Sequence, residues 1–211
     1  MSDPITGAGT DDRGSGDRDA VLPLSVTDAA ANPAVRAVLG QLTDEYDTIA
    51  LLLKNALADP NRLAALHDTG LLDGTPKVAL DRFATLAAEA LGVPYAAVSL
   101  VDRDRQVLIG CNDDTIADRT RPIELSICQY AVVSGDPLIV DDTTRHPLLA
   151  DHPMVLNGAI RAYAGFPLCD RRGNAVGTLC AWDPHPRYWT NGQLQILEDL
   201  ATAACAKVFT D

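Results

Sequence analysis

Five cysteines carry the most reactive side-chain chemistry in this chain of 211 residues: Cys111, Cys128, Cys169, Cys180 and Cys205. Their number is odd, they are widely spaced, and no secretory leader precedes them. They are therefore expected as reduced thiols in a cytoplasm rather than as a disulfide framework. Cys128 stands two residues after Ser126, which reads as the cap of a helix running to Ser134. A thiol in the first turn of a helix, near free backbone N–H groups, has its pKa lowered if it is exposed. Two readings stay open for it. It is a redox-responsive or covalently modifiable thiol, or it is an inert buried one, cysteine being among the residues most often buried. Cys111, in the polar stretch GCNDD, is the candidate partner that would resolve an oxidised Cys128.

His146 and His152 lie six residues apart in a stretch that also holds Asp141, Asp142 and Asp151. Imidazole and carboxylate groups bind metals, and a single histidine can ligate haem, but this spacing fits no metal motif. They are read as solvated loop residues, and no metal is assigned. Asp141 and Asp142 follow a short apolar run; they could accept hydrogen bonds from a ligand amine or cap the turn that follows. The chain has no Gly-x-Ser-x-Gly, no phosphate-cradling glycine loop and no His-Glu-x-x-His. On that ground it is expected not to be an enzyme.

The elements that must position these groups follow from charge and periodicity. With 29 acidic against 17 basic groups and a net charge of −12, nucleic acid and anionic membrane are excluded as main partners, because phosphate binding depends on clustered Lys and Arg. No run approaches the roughly 18–20 apolar residues of a membrane span. Residues 1–20 are rich in Gly, Asp, Ser and Thr, lack the apolar centre of a signal peptide, and are expected as a disordered tail. Residues 21–59 are expected as an N-terminal helical extension. Asn32 and Pro33 start a helix that Asp59-Pro60 ends, with apolar positions at Val35, Val38, Leu42, Ile49, Leu52 or Leu53 and Ala56, close to a seven-residue repeat. Leu51, Leu52 and Leu53 would be partly exposed on a lone helix, so pairing with a second copy is expected.

Residues 60–211 read as one domain. Helices are predicted over Asn61–Leu72 and Lys77–Leu91, the second stopped by Gly92. Apolar runs place strands at Tyr95–Val101 and Gln106–Gly110. Residues 111–125 are polar and irregular, Leu125–Ser134 is a helix, and Leu138–Val140 is a short strand. The stretch 143–158 holds a short helix at most. Strands over Ile160–Leu168 and Ala175–Trp182 are joined by the turn Asp170–Asn174, and Thr190 caps a last helix to about Phe209. This order gives an α+β fold: a central antiparallel sheet of about five to six strands with helices packed on one face. The turn pairs Tyr163 with Trp182 and Gly165 with Cys180 on one side of the sheet, and leaves the uniformly apolar Ala162, Ala164, Phe166, Leu179 and Ala181 for the helices. Tyr163 and Trp182 then face a pocket or pack on each other.

The runs NRLAALHDTGLLDGTPKVALDRFATLAAEALGVPYAAVSLVDRDRQ, ELSICQYAVVSGDPLIVDD, IRAYAGFPLCDRRGNAVGTLCAWDPHPR and LQILEDLATAACAKV together resemble the GAF domain family over roughly residues 60–208. The resemblance implies a small-molecule pocket on the sheet face opposite the first and last helices, formed by a short helix and long loops and bordered by the turn of Cys128. Tyr163, Trp182, Cys180, Cys128 and Asp141 are its candidate ligand-binding residues. It also implies a regulatory role, exercised through helices and dimerisation on a separate output protein, since the chain stops at Asp211. No cofactor is assigned. The free methionine sulfoxide reductases of the family use cysteines in the pocket loop, and 141–160 has none; bilin-binding relatives have His after their Cys, where this chain has Gln129; the Asn-Lys…Phe…Asp-Glu pattern of cyclic-nucleotide binders is missing. The leading expectation is a cytoplasmic sensory protein that binds a small molecule and signals through a helical homodimer. The alternatives are a ligand-free scaffold for protein contacts and a thiol-based redox sensor or reductase using Cys128.

Overall fold

The computed structural model describes residues 48–209 apart from 74, 76 and 114–117. The expected tail and all but the last part of the expected N-terminal helix lie outside the described residues. Residues 48–57 are helical, with Leu51 and Leu52 exposed and Leu57 buried.

Six strands form one antiparallel sheet: β1 (Tyr95–Val101), β2 (Arg105–Cys111), β3 (Thr120–Pro122), β4 (Leu138–Val140), β5 (Ala162–Cys169) and β6 (Ala175–Asp183), in the spatial order β3-β2-β1-β6-β5-β4. β1 and β6 are central, which is why YAAVSLV and AVGTLCAWD are almost wholly buried and read as continuous apolar runs rather than alternating ones. Tyr163 pairs with Trp182 and Gly165 with Cys180, as the turn residues require, and the register slips only at Leu168/Cys169.

Helices α1 (Pro60–His67), α2 (Val78–Leu91) and α5 (Asn191–Val208) pack on one face. α2 buries Leu80, Ala84, Ala87, Ala88 and Leu91 and ends on Gly92 in the left-handed conformation at φ 64°, which glycine adopts without strain. A Cβ on Gly110 would come within 2.5 Å of the Leu80 backbone, so this glycine lets α2 lie directly against β2. The carbonyls left over at the end of α2 are satisfied from a distance: Arg187 donates to those of Leu91 and Gly92, and Gln193 to that of Leu91. Gln193 also completes the capping box with Thr190 that starts α5. Two further short helices, α3 (Cys128–Ser134) and α4 (Pro153–Leu156), lie with the loop 143–160 over the other face.

Three local expectations need correction. The first helix stops at His67 rather than Leu72, because the Thr69 hydroxyl donates back to the Leu66 carbonyl and Gly70 turns the chain at φ 64°. The stretch 111–125 holds β3 and a 3-10 turn at Ile123–Leu125. Ser126 does not cap the next helix. That helix begins at Cys128 behind Ile127, with no side-chain cap, and the Ser126 hydroxyl is buried without a hydrogen-bond partner among the described residues.

One buried charge ties the helical start of the domain to the sheet. Arg62 is 5% exposed and donates one guanidinium nitrogen to the Val101 carbonyl at 2.6 Å and another to the Leu57 carbonyl. Burial pushes its pKa down, and the nearby carboxylates of Asp102 and Asp59 pull it back up.

Candidate functional site

The sheet face under α3 is where the expected pocket residues meet, and it is filled by the protein's own side chains. Strand alternation puts Tyr163 and Gly165 of β5, Thr178 and Cys180 of β6, and Ala97, Ser99 and Val101 of β1 on this side. Tyr163 is 1% exposed. Its ring lies over Gly165, where a Cβ would come within 2.4 Å of the hydroxyl; the glycine is the space the ring occupies. Leu149, Val155 and Ile160 from the loop 143–160 close over the same cluster, and Leu57 from the N-terminal helix joins it.

At its centre is the sulfur of Cys128. α3 packs across β6 and brings the Cys128 sulfur to 3.7 Å from that of Cys180. The Tyr163 hydroxyl donates to Cys128 at 3.3 Å and the Gln106 side-chain amide at 3.1 Å. The Cys180 thiol has the Cys128 sulfur and the Ala97 carbonyl, 3.5 Å away, within reach. Ser99 and Thr178, paired across β1 and β6 at 3.2 Å, lie on the same buried strip. Hydrogen bonding, led by the Cys180 thiol and joined by Ser99, Thr178 and Tyr163, lowers the pKa of Cys128 to about 6 against the opposing effect of burial. Cys180 is pushed well above the ordinary thiol range by its hydrogen bond to Cys128 and by burial, and Tyr163 is raised by burial and by the neighbouring sulfurs.

The sequence-predicted residues separate as follows. Cys128, Cys180 and Tyr163 come together. Trp182 shares their face but stacks on Tyr95 of β1, with centroids 5.5 Å apart and planes 18° from parallel, not on Tyr163. The sulfur beside Cys128 is Cys180 and not Cys111: Cys111 ends β2 opposite Ala97, two strands from β6 and so roughly 10 Å from Cys180, and burial raises its pKa. Asp141 accepts the Trp189 N–H on its carboxylate and the Arg187 N–H on its carbonyl, which fixes the segment before α5. Asp142 caps the turn at Thr143–Arg145 and pairs with Arg161. His152 caps α4 through Nδ1, has its ring edge-on to Tyr130, and is held below its usual pKa by burial. His146 accepts the Leu148 N–H. Among the described residues no three His, Cys, Asp or Glu side chains gather as a metal site. Gln106, buried next to Arg105 at the start of the apolar run VLIG, carries no signal in the sequence that marks it as part of this site.

A groove of about 760 Å³ opens on the opposite side of the sheet, lined by Phe166, Cys169, Arg171, Glu198, Cys205 and Phe209 among others. Its two cysteines are partly exposed, and the Cys205 thiol donates to the Cys169 carbonyl. No helix among the described residues is long and apolar enough to cross a membrane.

Comparison with known proteins places this geometry. A cyclic di-GMP phosphodiesterase of Pseudomonas aeruginosa is 30% identical over 152 residues, which are 71% of this chain and 26% of that protein. The chain thus spans about a quarter of the length of this curated relative. The structure of a free methionine-R-sulfoxide reductase from Neisseria meningitidis, solved with its substrate, superposes with a TM-score of 0.50 at 23% identity, covering 75% of this chain and 84% of that one. The GAF domain of a phosphoenolpyruvate-protein phosphotransferase from Coxiella burnetii superposes with a TM-score of 0.51 at 15% identity, covering 77% and 91%. At these identities the two structures establish the fold. The expectation that the chain is not an enzyme is overturned by the names of these relatives, a phosphodiesterase and a reductase; the missing motifs do not exclude catalysis on this fold. Residues 75–207 match the description of the GAF domain, and with the six-stranded antiparallel sheet and its helices the chain belongs to the GAF domain family, typically a sensory or regulatory domain.

Proposed function

We propose that this chain is a regulatory GAF protein of the cytoplasm that works as a helical homodimer and passes the state of its filled sheet face to a separate signalling partner. The observation that carries the reading is the position of Leu57. It is the last residue of the helical stretch 48–57 and is buried in the same cluster as Cys128, Tyr163 and Cys180. Its carbonyl is held by Arg62, which also holds the end of β1. A rearrangement in the cluster is therefore felt directly at the base of that helix. Leu51 and Leu52, 58% and 62% exposed, supply apolar surface for the second copy.

The small molecule expected at Tyr163, Trp182, Cys180, Cys128 and Asp141 would have to displace the partners these side chains already have. The ring of Tyr163 over Gly165 favours the ligand-free form of the reading. Native mass spectrometry of the full chain tests both halves. A dimer without retained small mass is expected, and L51E/L52E is expected to be a folded monomer whose Tm, unlike that of the parent, does not depend on protein concentration. A monomeric parent protein, or a stoichiometric small molecule carried through purification, overturns the proposal.

A further inference from the structure

We infer that Cys128 and Cys180 form a two-cysteine redox site that reacts with small hydroperoxides, Cys128 being the attacking sulfur and Cys180 the sulfur that resolves it. This goes beyond the regulatory reading and does not depend on it. The two sulfurs stand 3.7 Å apart on different elements, α3 and β6. Closing to the roughly 2.0 Å of a disulfide needs a side-chain movement of about 1.7 Å. The second observation is the set of donors. A neutral thiol is a weak acceptor, yet the buried amide of Gln106 and the buried hydroxyl of Tyr163 both point at Cys128. Two strong donors on one sulfur make sense for a thiolate, to which their hydrogen bonds are charge-assisted. The other three cysteines differ from Cys128. Cys111, Cys169 and Cys205 are each raised by burial, and the Cys205 thiol is itself the donor to a carbonyl.

The chemistry balances with a hydroperoxide as the oxidant. The Cys128 thiolate attacks the terminal oxygen of the hydroperoxide and the O–O bond breaks. The alkoxide leaves and takes a proton from water, giving an alcohol and the sulfenic acid of Cys128. The Cys180 sulfur then attacks the sulfenic sulfur; the S–O bond breaks, hydroxide leaves with the Cys180 proton as water, and a disulfide remains. Two electrons pass from the sulfur pair to the peroxide, and an external dithiol returns them.

The test uses the reduced full-length chain with a slight excess of hydrogen peroxide, followed by denaturing alkylation and peptide mapping. The expected result is the loss of two thiols per chain with Cys128 and Cys180 joined within one chain, at least tenfold faster than any change at Cys111, Cys169 or Cys205. In C180S the sulfenic acid at Cys128 persists and is trapped by dimedone, while C205S reacts at the parent rate. Y163F shifts the midpoint of the pH–rate profile upward, toward the range of an ordinary thiol, an effect that a merely structural tyrosine would not produce. A disulfide that maps to another pair, or oxidation of Cys128 no faster than that of the other three, overturns the inference.

Discussion

Replacing Arg62 by Met keeps the aliphatic stem and removes the guanidinium that bridges Val101 and Leu57. Both carbonyls lie in the buried region where β1 ends and the 48–57 helix meets the domain. A buried acceptor left without its donor costs about 1–3 kcal/mol, so two of them come to about 2–6 kcal/mol. Relief from burying a charge returns part of this, since burial already works against the charged form. The expected net loss is about 3 kcal/mol for R62M, and somewhat more for R62A, which also loses the packing of the stem. For a domain of this size that is roughly a 6–12 °C fall in Tm. Urea unfolding of the full chain measures the loss, and hydrogen exchange locates it: amides of 48–57 should lose protection before those of β1 and β6. If both variants stay within about 1 kcal/mol of the parent and 48–57 keeps its protection, the bridge holds nothing together and the proposed route from cluster to helix falls with it.

Other perturbations follow from contacts already described. G165A forces the Tyr163 ring out of its place and should cost about 1–3 kcal/mol; in a Y163A background most of that cost should vanish, which a double-mutant cycle in urea would reveal. T190A removes half of the capping box of α5 and should cost about 1 kcal/mol, with T190S near neutral. Stability should depend on pH through the sulfur pair. Cys128 is held below its unfolded pKa of roughly 8.5, so its ionisation stabilises fully above that value and the stabilisation is lost as pH falls toward about 6. Cys180 and Tyr163 are shifted the other way, and their contributions are lost as pH rises above their unfolded values. Stability measured by urea should therefore climb between about pH 6 and 8.5, with a slope of up to about 1.4 kcal/mol per unit, and then decline. In C128S the climb above about pH 7 should be absent, leaving only the acidic-side rise from the buried His152 and the half-buried His146, both held below their usual pKa by burial.

The parts of this molecule that are set locally could be read from residue order. β5 and β6 meet in the register demanded by Asp170–Asn174, and α2 and α5 begin and end where Gly92 and Thr190 place them. Contacts set by tertiary packing could not. Trp182 finds Tyr95 because β1 lies beside β6, a neighbour relation between strands far apart in sequence. Cys128 finds Cys180, 52 positions along the chain, because α3 crosses β6, a contact that residue order does not display and that takes the place of the expected one with Cys111. Ser126 has a capping residue's identity without its geometry: the 3-10 turn at Ile123–Leu125 delivers the chain to α3 in helical conformation at Ile127, one residue past the serine, whose hydroxyl caps nothing.

The outermost strands of the sheet, β3 and β4, are each only three residues long, and proline ends one and precedes the other, at Pro122 and Pro137. A short border with few free backbone groups gives a visiting strand little to hydrogen-bond to. Growth of the sheet from molecule to molecule is thereby discouraged, which leaves the helical surfaces for the two-copy assembly proposed above.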